Sequence, residues 1–248
     1  MPSSPASVDV SNLMARMSRY QKQFPYAVAV ALTRTAKDAQ PAVRSAMQQA
    51  FDRPTPYTLN STYVTPAKKT DATPMADVFF KTDASKGTPA AKYIYPEVYG
   101  GQRNQKRYER ALRAARVLPA GMMTVPGAGV KLDAYGNMPA GLINAMLSQL
   151  GANPDAYQNS TSSKRSRRTR KVRGQFFVGR PGGGHLPLGV YLRNGRKLSP
   201  FLIFISSANY HQRLPFRETV ERVFDERFYL NFDAALASAI ATAREPSE

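Results

Sequence analysis

The sequence predicts an α+β fold, an antiparallel sheet packed by two N-terminal helices and a long C-terminal helix. Three observations carry this expectation. Apolar residues recur at helical spacing near both ends of the chain. Short β-prone runs flanked by turn residues fill much of the rest. Asn194-Gly195 separates two such runs, and both residues tolerate the positive φ of a tight hairpin.

Taken in order, the first helix follows from Val10, Leu13, Met14, Met17 and Phe24, with Arg16, Arg19 and Lys22 off the stripe. Phe24-Pro25 punctuates it, because proline cannot continue a hydrogen-bond ladder but starts a helix well. A second helix follows from Val28, Leu32, Ala36, Ala39, Val43, Met47 and Phe51. Pro41 should kink or split it near Gln40. Asp52 to Tyr57 then holds two prolines in three positions and forces an extended path.

Strands are expected at 61–66 and 75–82, the second around Val78, Phe79 and Phe80. Tyr93, Ile94, Tyr95, Val98 and Tyr99 form an aromatic cluster ending at Gly100-Gly101. Residues 104–117 read as a short basic helix with Tyr108, Leu112 and Ala115 inward. Pro and Gly recur through 118–137, which should be ordered loop. Residues 139–150 read as another helix, with Leu142, Ile143, Met146, Leu147 and Leu150 on its apolar face. Strands follow at 175–179, 189–193 and 201–206, and the connections make them an antiparallel meander. In the last helix Val220, Phe224, Phe228, Phe232, Leu236 and Ile240 step by four, the longest clean periodicity in the sequence. That stripe reads as core or as an interface between subunits, with Phe224, Phe228 and Phe232 the candidate interface residues. Residues 1–9 read as a flexible N-terminus and 10–248 as a single α+β domain with a basic loop at 160–174.

Composition narrows the function. The chain has 248 residues, a formal charge of +18 and no Cys. Disulfides, thiolate nucleophiles and Cys-based metal sites are therefore excluded. His185 and His211 cannot build a three-His metal site. No apolar stretch approaches the ~20 residues that span a bilayer, and residues 1–10 do not read as a signal peptide. The chain is expected to be cytoplasmic at synthesis.

Arg180-Pro-Gly-Gly-Gly-His lacks the Lys-Ser/Thr and the strand-to-helix context of a phosphate loop, so it reads as a turn. His185 has no nucleophile or carboxylate near it in sequence. Asp71, Asp77, Asp83, Glu97, Asp133 and Asp155 sit singly, without calcium-loop spacing. No catalytic, cofactor or metal residue is assigned, and the chain is expected not to be an enzyme.

The one strong electrostatic feature is Lys164, Arg165, Arg167, Arg168, Arg170, Lys171 and Arg173, seven cations in ten positions with no acid. Such a block repels itself and reads as an unpacked loop. It reads as a contact for nucleic-acid phosphate or an acidic protein face, or else as a solvated flexible loop. Without it the chain would still carry +11. Aromatic residues are not interleaved with the block, so binding of single strands by stacking is poorly supported.

Pro25-Tyr-Ala-Val-Ala-Val-Ala-Leu-Thr-Arg-Thr-Ala-Lys-Asp resembles the opening helix of the phage minor tail protein Z family, the tail-completion (neck) proteins of long-tailed bacteriophages. Phe51-Asp-Arg-Pro-Thr-Pro-Tyr-Thr-Leu-Asn-Ser and Lys131-Leu-Asp-Ala-Tyr-Gly-Asn-Met resemble the same group. So do Phe177-Val-Gly-Arg-Pro and Leu186-Pro-Leu-Gly-Val-Tyr-Leu-Arg. The resemblance implies a virion structural protein that completes the head-proximal end of the tail and joins it to the head. It implies a homo-oligomeric ring around the DNA channel. The partners would be other neck and tail proteins, such as the tail tube or terminator and the head-completion or connector ring. It implies no cofactor, no catalytic residue and no membrane. A basic DNA-binding or packaging-associated protein is the alternative.

Overall fold

The computed structural model describes residues 11–85 and 87–242, without the side chains of 11–20 and Lys22. The stripe expected from Val10 to Met17 and the N-terminus at 1–9 lie outside those described side chains and residues. In chain order the elements are helix α1 (Ser11–Ala50), a single turn α2 (Pro56–Leu59), strands β1 (Thr62–Thr65) and β2 (Asp77–Phe80), and α3 (Ala91–Tyr99). Next come β3 (Gly101–Gln102), α4 (Arg107–Ala114), β4 (Met123–Pro126), α5 (Ala140–Gln149) and α6 (Lys164–Arg173). The chain ends with β5 (Gln175–Gly179), β6 (Gly189–Asn194), β7 (Lys197–Ile205), β8 (Asn209–Tyr210) and α7 (Phe216–Thr242). The class is α+β, and among the described residues every strand pairing is antiparallel.

Two compact units divide the span that the sequence presents as one domain. The first, the helical unit, holds described residues 11–51, 56–85, 87–91 and 214–242. The second, the sheet unit, holds 52–55 and 92–213.

In the helical unit α1 packs along α7. The two N-terminal helices expected from the sequence are one continuous helix, with Pro25 and Pro41 inside it. Each proline lacks an N–H and forfeits one ladder bond. Packing offsets that loss: Ala27, Ala31, Thr35, Ala39, Val43 and Met47 recur every fourth residue and are all buried. Full burial of Val43 and Met47 contributes about 1.5–3 kcal/mol each.

The buried line of α7 is Thr219, Val223, Ala235 and Ala239, one residue away from the expected Phe stripe. Small residues line both sides of this seam, so the two backbones approach closely and the large rings are left at its flank. Asn231 occupies the middle of the line, where its amide donates to Thr35 Oγ1 (3.0 Å) and Asp38 Oδ2 (2.9 Å). The hairpin β1–β2 lies on α1, where Gln40 Nε2 donates to Thr62 O at 3.2 Å. Phe80 is fully buried and packs on Phe216, ring centroids 4.8 Å apart.

The sheet unit is built on four strands in the order β4-β7-β6-β5. The strands expected at 61–66 and 75–82 are thus not in this sheet; they form the separate β1–β2 hairpin. The hairpin expected at Asn194-Gly195 forms, but its two turn residues are Gly195 and Arg196: Asn194 ends β6 paired to Lys197, and of the pair expected at positive φ only Gly195 has it, at +59°. The core includes Tyr108 and Leu112 of α4, Met146 and Leu147 of α5, and Phe176, Val190, Phe201, Leu202 and Phe204 of the sheet. Phe176 and Phe201 pack edge to face, with ring centroids 4.7 Å apart.

The stretch expected to be loop at 118–137 contains β4, an edge strand paired with β7. Its Met123 and Thr124 are buried, and Pro126 is tolerated because an edge strand has one unpaired side. The aromatic cluster at 93–99 lies on a helix, α3, with Pro96 inside it.

Candidate functional site

The basic segment Lys164–Arg173 is helical along its whole length, which corrects the loop expected at 160–174. Self-repulsion does not unwind it, because both ends are secured locally. Ser163 Oγ accepts from the Ser166 N–H at 3.3 Å, a serine N-cap. Gly174 ends the helix at φ +90°, a conformation that disfavours a side chain, and its N–H donates to Arg170 O at 2.9 Å. Arg170, Lys171 and Arg173 also complement the negative C-terminal end of the helix dipole. The repulsion remains as exposure: no residue of α6 is buried. Arg170 is the cation turned to the protein, where it donates to Ser160 Oγ (2.8 Å) and Thr161 O (3.3 Å). Lys164, Arg165, Arg167, Arg168, Lys171 and Arg173 are exposed.

The charge is not spread evenly. The sheet unit holds twenty-one Lys and Arg against five acids, a balance of +16. The described residues of the helical unit hold twelve against nine, a balance of +3. From Ala156 to Arg217 the chain has no Asp or Glu. That acid-free run is a signal that attention to the ten-residue block alone overlooks.

The second candidate surface is on α7. Phe224, Phe228 and Phe232 stack in a ladder, with centroids 4.8 and 6.2 Å apart. Phe24 of α1 meets Phe232 edge-on at 5.1 Å. The ladder is not core. Phe224 is 41% exposed and Phe24 is 52% exposed, while Phe228 and Phe232 are half-buried. Tyr229 and Leu230 next to it are well exposed. The expectation that the stripe is core is corrected, and the interface reading of the same residues stays open.

Two carboxylates are buried, and an arginine holds each. Glu97 accepts from Arg213 Nε (2.9 Å) and Nη2 (3.0 Å). Glu109 is fully buried and accepts from Arg103 Nη2 (2.6 Å) and Nη1 (2.9 Å), the backbone N–H of Lys106 (2.7 Å) and that of Thr124 (2.8 Å). Burial would raise its pKa, but the Arg103 guanidinium and these N–H donors outweigh burial and hold it at about 2. Sequence reading missed Glu109. The available signal was its place three residues after Lys106, the position from which a glutamate reaches back to a helix's first N–H.

His185 and His211 are both exposed. Among the described residues no three His, Asp or Glu converge as metal ligands. A hollow of about 500 Å3 in the helical unit is lined by Gln23, Pro25, Tyr26, Lys69, Thr70, Ala239 and Thr242, with no carboxylate or histidine. Among the described residues no helix is long and apolar enough to cross a membrane. No protein-family model, no curated protein and no solved structure matches the chain.

Proposed function

We propose that the protein is a structural subunit of a bacteriophage virion that completes the head-proximal end of the tail and joins it to the head. In this reading it acts as one subunit of a homo-oligomeric ring in the neck and meets the tail tube or terminator on one side and the connector ring on the other. It assembles in the host cytoplasm and resides in the virion.

The observation that carries the reading is the aromatic ladder Phe224, Phe228 and Phe232 with Phe24 beside it. A row of stacked, partly exposed rings next to Tyr229 and Leu230 is costly to leave in water and suits a surface that another subunit covers. A ring needs such a surface at a heterologous contact that closes on itself. The resemblance of the segments at Pro25, Phe51, Lys131, Phe177 and Leu186 supports the same assignment. Electron microscopy of tails assembled with and without the protein tests it. Tails lacking the protein should fail to join heads, and normal joining without it would overturn the reading.

A basic DNA-binding or packaging-associated protein is the second reading. The +16 balance of the sheet unit favours it.

A further inference from the structure

We infer that α6 together with the β6–β7 hairpin is a seat for B-form duplex DNA, with α6 in the major groove and the hairpin cations on the flanking phosphates. This stands on the geometry and charge of the sheet unit alone and does not rest on the neck reading.

The two elements meet at Gly174. A side chain there would come within 2.9 Å of Arg193 O and 2.8 Å of Leu192 Cδ1, so the end of α6 is pressed against β6. Gln175 pairs with Arg193, and Asn194 with Lys197. The register therefore brings Arg193, Arg196 and Lys197 to the end of the sheet from which α6 departs. All three are exposed. Among the described residues no carboxylate pairs with them or with any cation of α6.

The shape of the charge selects the partner. At about 100° per residue, the six exposed cations of α6 cover an arc of about 240° around the helix. A flat acidic protein face touches roughly one side of a helix and would leave half of these charges unpaired. A major groove about 12 Å wide takes a helix of 10–12 Å diameter and has phosphates on both walls. The ten residues of α6 are about 15 Å long, enough to lie across it. The deep, narrow major groove of A-form RNA does not admit a helix. The exposed cations of α6 reach phosphates on both walls, and such contacts hold the duplex without reading its sequence.

DNA also relieves strain within α6. Lys164 and Arg168, and Arg167 and Lys171, are like charges at i,i+4, an unfavourable spacing on an exposed helix. Phosphates between them turn that repulsion into attraction, so α6 should gain protection when DNA binds.

The test uses the full chain and a fluorescent 20-base-pair duplex of mixed sequence, followed by anisotropy from 50 to 200 mM salt. The expected result is binding that weakens steeply with salt. In the variant R165Q/R167Q/R168Q/K171Q the log–log slope should flatten by about 3–4 and the affinity at 100 mM salt should fall at least roughly tenfold. Glutamine is a good helix former, so circular dichroism should be unchanged in that variant. The control R34Q/K37Q/K68Q/K69Q removes four exposed cations from the helical unit and should leave the slope unchanged. Hydrogen exchange at α6 should slow on adding DNA. The inference is overturned if the duplex does not bind at 50 mM salt, or if the two quadruple variants lose affinity equally. Equal competition by polyglutamate of matched charge would overturn it in favour of an acidic protein partner. Equal binding of duplex RNA would overturn the groove fit.

Discussion

Arg103 and Glu109 together close the free edge of the sheet at a single residue, Thr124. Glu109 Oε1 accepts from the Thr124 N–H at 2.8 Å, and Arg103 Nη2 donates to Thr124 O at 2.8 Å. Both backbone groups point away from β7, on the side where β4 has no neighbouring strand. An ion pair thus stands in for a fifth strand, and Tyr108 OH shares a hydrogen bond with Thr124 Oγ1 at 3.0 Å. Exposed strand edges invite pairing with other chains, and this edge is blocked at its buried residue.

Removing one member of this pair leaves the other buried and uncompensated. Glu109→Gln should destabilise the fold by about 3–5 kcal/mol, read as a lower urea midpoint. Arg103→Met, which strands the Glu109 carboxylate, should cost a similar amount. A midpoint unchanged in both variants would refute the clamp.

The same carboxylate sets an acid limit. Its folded pKa of about 2 lies below its ordinary 4.5, so the unfolded chain binds the proton more tightly. The resulting stability is fully present above about pH 4.5 and is lost as pH falls towards 2. The contribution is about 3 kcal/mol. Thermal melts at pH 5 and pH 3 should differ more in the native chain than in Glu109→Gln.

Proline inside α1 should be a removable cost. Pro41 is exposed within the continuous helix and cannot donate to Lys37 O. Pro41→Ala restores that bond and should raise stability by about 1–3 kcal/mol, seen as a higher Tm. A lower Tm would mean that the helix needs a bend at this point to follow α7.

The aromatic ladder should affect association more than folding. Phe224→Ser alters a ring that is 41% exposed, so monomer stability should fall by about 1–2 kcal/mol while the monomer stays folded. Self-association, followed by sedimentation velocity over a range of concentrations, should weaken. If association is unchanged in Phe224→Ser and also in Phe228→Ser, the ladder is not the subunit interface.

Local signals proved informative where chemistry acts locally. Gly195 specified a hairpin because the first position of its turn takes positive φ, which glycine accepts at no steric cost, while Asn194 lies just outside the turn on β6. The helices at 140–149 and 107–114 followed from apolar spacing that needs no partner to be recognised. Strand β4 was hidden because Met-Thr-Val-Pro is too short to show alternation, and its pairing comes from β7, about eighty residues later. The ladder on α7 was legible as a stripe. Its position on the surface was not, because burial depends on which residues of α1 lie opposite.

The candidate site was legible in composition and not in form. The seven cations of α6 are plain in the sequence, but the ordered helix depends on Ser163, Gly174 and the end of β6 beside them. The charge of the chain, by contrast, was fixed by composition: no folding changes +18. The sequence alone determined the α+β class, the exclusion of thiol chemistry and the basic block, since these depend on residue type and near neighbours. Tertiary structure decided that α1 is unbroken, that the Phe line flanks its seam, and that nearly all the net charge gathers in the sheet unit. Each of these depends on residues far apart in the chain, whose contacts local periodicity does not encode.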